Sequence, residues 1–231
     1  MRLNRVRVIL SSGFAFLGLI CLATSATADN LRLRNGLTGI VDAPSAFQQP
    51  DAQTAVILSL DEKVRTVSLA FQALPRLETS LSFSKFDADA SGFGDDSTAL
   101  NFKLRLIDEG PYLPALSLGV DNLFSNTADS AEYLVASKRL GSNLRASLGV
   151  GWGRLGGYDT AGDVLGDRKG AGGASRAEFS HLFDGDAAVF GGLEWDTPID
   201  GLALAAEYSS APTYGTGTAP DSRFNFAAKY S

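Results

Sequence analysis

The chain has 231 residues, 45% of them hydrophobic, with 25 glycines and a formal net charge of −6 at pH 7. That length suffices for one sizeable β domain, and the glycine content suits turns and close strand packing better than long helices. So acidic a chain has no global electrostatic basis for binding nucleic acid, and no run of 18 apolar residues after residue 28 offers a membrane-spanning helix.

The first 28 residues read as a secretory signal peptide. Arg2, Arg5 and Arg7 form the positive region, residues 8–22 the apolar core, and Ala26-Thr27-Ala28 a small-x-small cleavage site. Removing the three arginines takes the formal charge from −6 to −9. Cys21, the single cysteine, leaves with them, so the mature chain has no disulfide, thiolate metal site or cysteine nucleophile. Ile20, just before Cys21, is too large for a lipoprotein signal.

Residues 29–54 form an irregular N-terminal segment. "NGLTGIVDAPSAFQQPDAQ" has turn residues every few positions and no sustained period. Ten alternating segments follow, at 55–60, 64–72, 77–85, 98–107, 115–123, 132–140, 144–154, 187–195, 202–209 and 223–230. Their connections alternate in length. "ALPR", "DEGPYLP", "GSN" and "DTPIDG" are tight, whereas "DADASGFGDD", "FSNTADSA", residues 155–186 and "SAPTYGTGTAPD" are long and polar. Short turns at one end and long loops at the other predict an all-β, antiparallel, up-and-down outer-membrane-type β-barrel of about ten strands over residues 55–231.

Alternation does not say which face is dry; the partner row decides. Within 144–154, Leu144, Ala146, Leu148, Val150 and Trp152 face away from Arg145, Ser147, Gly149, Gly151 and Gly153. Within 202–209, Leu202, Leu204, Ala206 and Tyr208 oppose Ala203, Ala205, Glu207 and Ser209, and Ser80, Ser82 and Ser84 oppose Leu81 and Phe83. Rows of Gly, Ala and Ser suit a crowded interior, which turns the apolar row, including Val189, Leu193 and Trp195, toward lipid. The charges on small-residue rows, Lys103, Arg105, Asp121, Glu207 and Lys229, are expected to pair inside. Trp152, Trp195, Tyr208 and Tyr230 are expected as interface girdles. The alternatives are a small porin and a soluble periplasmic β-barrel or sandwich that binds a ligand.

Few residues invite chemistry. Asp87, Asp89 and Ser91, followed by Gly92 and by Asp95, match the start of a calcium loop, but its last position is Thr98 where a bidentate Glu belongs. His181 is the only histidine, and neighbouring Ser180 would point to the opposite face of a strand. The glycine-rich "GRLGG" and "GAGG" lack the lysine of a phosphate loop. No catalytic residue, cofactor or metal is therefore expected. Arg168, Lys169 and Arg176 make a basic spot in the longest loop, suited to lipopolysaccharide phosphates.

"LRLIDEGPYLPALSLGV", "AEYLVASKRL", "LGVGWGRLG" and "FGGLEWDTPIDGLALAAEYS" resemble the YjbH family of exopolysaccharide-biosynthesis outer-membrane proteins, as does "GLTGIVDAPSA" followed by "QPDAQ". The resemblance runs from about residue 35 to residue 230. It implies an outer-membrane β-barrel of a Gram-negative bacterium, often lipid-anchored in the family. It further implies a non-enzymatic part in exopolysaccharide production or export, with outer-membrane lipid, lipopolysaccharide, exopolysaccharide and its assembly proteins as partners. The resemblance is to the first β-rich half of typical, longer members, and no lipoprotein signal is expected here.

Overall fold

The computed structural model describes residues 18–22, 30–61, 63–86, 96–123, 129–162, 182–213 and 218–230. Among the described residues, alternating apolar and small residues form eleven strands in one antiparallel sheet, ordered as in the sequence. They are β1 (Gly18–Leu22), β2 (Thr54–Leu60), β3 (Val64–Leu74), β4 (Leu77–Phe86), β5 (Asp96–Ile107), β6 (Ala115–Asp121), β7 (Ala131–Leu140), β8 (Leu144–Gly153), β9 (Ala188–Asp196), β10 (Leu202–Tyr208) and β11 (Phe224–Tyr230). The ten expected segments are β2 to β11, each within two residues of its expected ends. Bulges between Gln72 and Leu74 and between Arg105 and Ile107 interrupt the ladders beside two of the tight turns.

The two faces of the sheet have inverted polarity. Leu58, Leu69, Phe83, Leu148, Val189, Leu193, Leu204 and Phe226 are exposed. The opposite row, with Ser68, Ser80, Ser82, Ser117, Ser137 and Ser147, is buried. In β8, Leu148 is 66% exposed while Arg145 and Ser147 beside it are buried. The small-residue rows therefore face inward, as their composition requires. At Gly149 a Cβ would lie 2.3 Å from Cζ of Phe190, so only glycine leaves that ring room inside.

Two expectations need qualification. The all-β, antiparallel, sequence-ordered sheet is as expected, but among the described residues it is not closed: β11 pairs with β10, and the free edge of β2 is taken by β1. β1 lies in the stretch read as signal peptide, and it satisfies the backbone groups through which β2 would otherwise meet another strand. The second correction is Trp152, which is buried at 7% exposure rather than set at an exposed rim. The Phe183 ring covers it edge-on at a centroid distance of 5.3 Å. Trp195, Tyr230 and Phe224 are exposed near strand ends.

The concave face is filled by the segment read as irregular. Arg32 bridges to Thr38 and Gly39 to Pro44, so residues 30–49 fold into two tight bends. Gly36, with φ of 92°, makes the first turn in a conformation that side-chain-bearing residues seldom adopt. Leu31 and Ile40 of this segment pack with Ala55 and Ile57 of β2, Ala70 of β3, Ala205 of β10 and Ala227 of β11. Strands from both ends of the sheet thus share one apolar cluster around the segment. Ala43 and Ala46 join a second cluster with Tyr133, Val135, Leu155 and Phe190.

Candidate functional site

A segment with no regular ladder must find partners for its backbone elsewhere. Here the inward row of the sheet supplies them. Ser68 Oγ donates to the Arg34 carbonyl at 2.8 Å, and the hydroxyls of Ser80 and Ser82 both donate to the Asn35 carbonyl. Ala46 N–H donates to Ser137 Oγ at 2.8 Å, and Ser117 Oγ donates to the Ala46 carbonyl at 3.2 Å. Serine suits this task because it is small and both donates and accepts. The serine rows therefore serve the segment's backbone as well as relieving crowding.

Two buried anchors dominate. On β5, Lys103 Nζ lies 2.8 Å from Glu78 Oε2 of β4. It also donates to the carbonyls of Thr38 at 2.9 Å and Phe47 at 2.8 Å, which uses all three ammonium protons. Glu78 additionally accepts from Thr38 Oγ1 at 2.7 Å and lies 3.5 Å from Arg32 Nη1. On β10, the Glu207 carboxylate accepts from the backbone N–H groups of Val41, Asp42 and Ala43, each at 2.9 Å, and from Asn225 Nδ2 at 3.0 Å. Consecutive amides converging on one carboxylate form an anion-binding nest, here within the motif "GIVDAPSA".

The sequence expectation that inward charges pair with one another holds only in outline. Lys103 meets Glu78, a residue outside the expected set, and Glu207 meets backbone amides. Arg105 reaches Asp108 at 3.8 Å, and Lys229 is buried. Asp121 is buried with Oδ1 lacking a hydrogen-bond partner among the described residues. Glu78 was legible in principle, because it shares parity with Ser80, Ser82 and Ser84. The converging amides were not, since nothing in a sequence announces them.

Toward the long-loop end a half-open polar cavity separates the segment from the sheet. Arg34, Asp42, Thr66, Asp121, Asn122 and Arg154 contribute to its lining. Arg154 Nη1 donates to Asp42 Oδ2 at 2.8 Å, and Arg34 Nη2 to Asp61 Oδ2 at 2.9 Å. Burial alone would raise the Asp42 pKa, but the Arg154 charge and hydrogen bond, helped by Arg34, hold it below the ordinary carboxylate value. Asp129, in the loop before β7, has the reverse balance: desolvation lifts it to about 6 despite Arg154 and Arg34.

The calcium-loop residues Asp87, Asp89, Ser91 and Asp95 lie outside the described residues, as do Ser180, His181, Arg168, Lys169 and Arg176. Among the described residues, no group of three or more His, Cys, Asp or Glu side chains is placed to hold a metal ion.

Fold and interior together define a class: an up-and-down antiparallel sheet, apolar outside and polar inside, whose concave face is occupied by the chain's own N-terminal segment. The chain belongs to the YjbH family, whose model, described as exopolysaccharide biosynthesis protein YbjH, matches residues 33–231. The match takes in most of the interior segment together with strands β2 to β11. A relative described as the uncharacterized lipoprotein YjbH of Escherichia coli (strain K12) is 30% identical over 217 residues, covering 84% of this chain and 30% of the relative. The chain thus spans about a third of the length of that relative. No solved structure matches.

Proposed function

We propose that the chain is a non-enzymatic outer-membrane component of exopolysaccharide production, inserted as a ten-strand barrel of β2 to β11. The exposed apolar row against a buried polar row carries this reading. Water penalises the first and hydrocarbon penalises the second, so a bilayer around the sheet is the medium that suits both. Exposed Trp195 and Tyr230 near one set of strand ends, and Phe224 at the opposite end, fit the aromatic girdles of such barrels.

Closure follows from removal of residues 1–28. That cut takes away β1 and leaves the edges of β2 and β11 unpaired. Counting hairpins along the up-and-down order, β2 and β11 run in opposite senses, and their inward residues already share one cluster. Pairing them would remove both edges, which hydrocarbon does not tolerate open. Membership of an exopolysaccharide-biosynthesis family supports the process. A non-catalytic role is favoured because Glu78, Lys103 and Glu207 are engaged in holding the interior segment. Lipid and lipopolysaccharide are the proposed surroundings, and exopolysaccharide with its assembly proteins the proposed partners. The filled interior leaves no room for a polysaccharide chain to pass, so the role is scaffolding or modification of export.

Cell fractionation tests the reading. The mature protein is expected in the outer membrane, soluble only with detergent and heat-modifiable in migration, and its loss is expected to lower secreted polysaccharide. Recovery from the periplasm without detergent refutes the location. Unchanged polysaccharide in a deletion strain refutes the process.

A further inference from the structure

Residues 30–49 are held in the interior by two small apolar clusters, through Leu31, Ile40, Ala43 and Ala46, and by polar groups that an ordinary core lacks. The contacts at the first turn are hydrogen bonds from serine hydroxyls to the Arg34 and Asn35 carbonyls. The strongest fixings are two localised anchors, the Lys103–Glu78 pair and the Glu207 nest. Around them the sheet presents Thr66, Ser68, Ser80, Ser82, Asn101 and Ser117. If the segment left, these groups would meet water and remain satisfied, whereas a core of Leu and Val would collapse or stay dry. The half-open cavity beside Asp42 and Arg154 already interrupts the packing between segment and sheet on one side.

We propose that residues 30–49 are a releasable plug and that this protein has a latent pore activity, the interior being a passage for ions and small hydrated solutes that the plug closes. The inference rests on the barrel reading above. Barrels of about eight strands are filled by their own side chains or hold one small ligand. Ten strands with an inward row of Gly, Ala and Ser leave enough further width for a folded-back peptide, and its departure would open a conduit of that width. Such a conduit passes ions and single sugars but not a wide hydrated polymer.

The experiment uses the complete mature chain in planar lipid bilayers, with insertion checked by heat-modifiable migration. The wild type is compared with Glu207→Ala, which removes the acceptor of three amides, and with Glu207→Ala/Lys103→Met, which removes both anchors. Each is also made with Ala46→Cys and Ser137→Cys, neighbours through the bond from Ala46 N–H to Ser137 Oγ, so that oxidation ties plug to sheet. Wild-type bilayers are expected to be nearly silent in potassium chloride. At least the double-anchor variant is expected to raise mean conductance by roughly tenfold. Oxidising the tether should return it to the wild-type level, and reduction should restore it.

Silence of both inserted variants overturns the inference. So does wild-type conductance equal to theirs, or variant conductance that the tether does not change, which would mark a leak elsewhere. Failure of the wild type itself to insert refutes the barrel reading instead and takes the plug with it.

Discussion

Replacing Leu148 by arginine should cripple membrane assembly, while replacing it by alanine should not. Leu148 is the fifth of ten residues in β8 and is 66% exposed on the outward face. Its partners across the two neighbouring strands are Ala136 and Gly191, which offer neither a counter-charge nor a stem to lie along. An arginine near the midplane of a lipid-facing strand costs about 2–4 kcal/mol. At 1.4 kcal/mol per tenfold, that lowers the folding equilibrium in a bilayer by a factor of about 30 to 700. On a water-facing sheet the same substitution, at so exposed a position, would change stability by no more than about 0.5 kcal/mol. The two settings therefore differ by more than an order of magnitude. The assay is folding of purified chains into liposomes across a urea series, read by heat-modifiable migration, with Leu148→Ala as the reference. Gly151→Ala is unsuitable as a reference, because a Cβ there would lie 2.4 Å from that of Leu155. Equal midpoints for the arginine and alanine variants would refute the assignment of the outward face to lipid.

Lys103→Met should destabilise the fold by about 3–5 kcal/mol, read as a lowered thermal midpoint, because it leaves buried Glu78 without its ammonium partner; Lys103→Met/Glu78→Gln should recover part of the loss. Gly149→Ala should cost about 1–3 kcal/mol through its clash with Phe190 and with the Leu134 carbonyl, measured by urea midpoint, and Phe190→Leu in the same chain should relieve only part of it. Asp129 should give the protein a pH-dependent stability. Its carboxyl titrates near 3.8 when unfolded and at about 6 when folded, so the native state binds the proton more tightly. Its contribution is full below pH 4, is lost as pH rises to about 6, and is flat beyond, a span of about 3 kcal/mol. Thermal midpoints between pH 4 and 7 should lose that slope in Asp129→Asn, and an unchanged slope would assign it to other groups.

The sheet was legible because a period of two leaves its mark at every position. The serines of β4 and the glycines of β8 identified the inward face without a structure, since only small side chains suit a concave crowded row. The interior segment was not legible. "GLTGIVDAPSA" has no period, and its order comes from partners in strands far along the chain: Thr38 with Glu78, Ala46 with Ser137, Val41 with Glu207. Trp152 was misplaced for a related reason, since its cover, Phe183, comes from a loop whose course no local pattern describes. The strand β1 was hidden by its own composition, because an apolar run between arginines and a small-residue site reads equally as an export signal.

The Glu207 nest spans 166 residues of sequence, from Val41 to β10. Segment 30–49 precedes β2 in the sequence, yet the carboxylate that gathers its amides at 41–43 comes only with β10. Folding therefore cannot proceed in the order of synthesis. Contacts this distant slow the search, although the first turn and Thr38 already find partners in β3, β4 and β5. The 41–43 turn is therefore fixed in a late step, when β10 docks. A protein lacking only its last two strands should consequently lose the fixing of its 41–43 turn as well as its end.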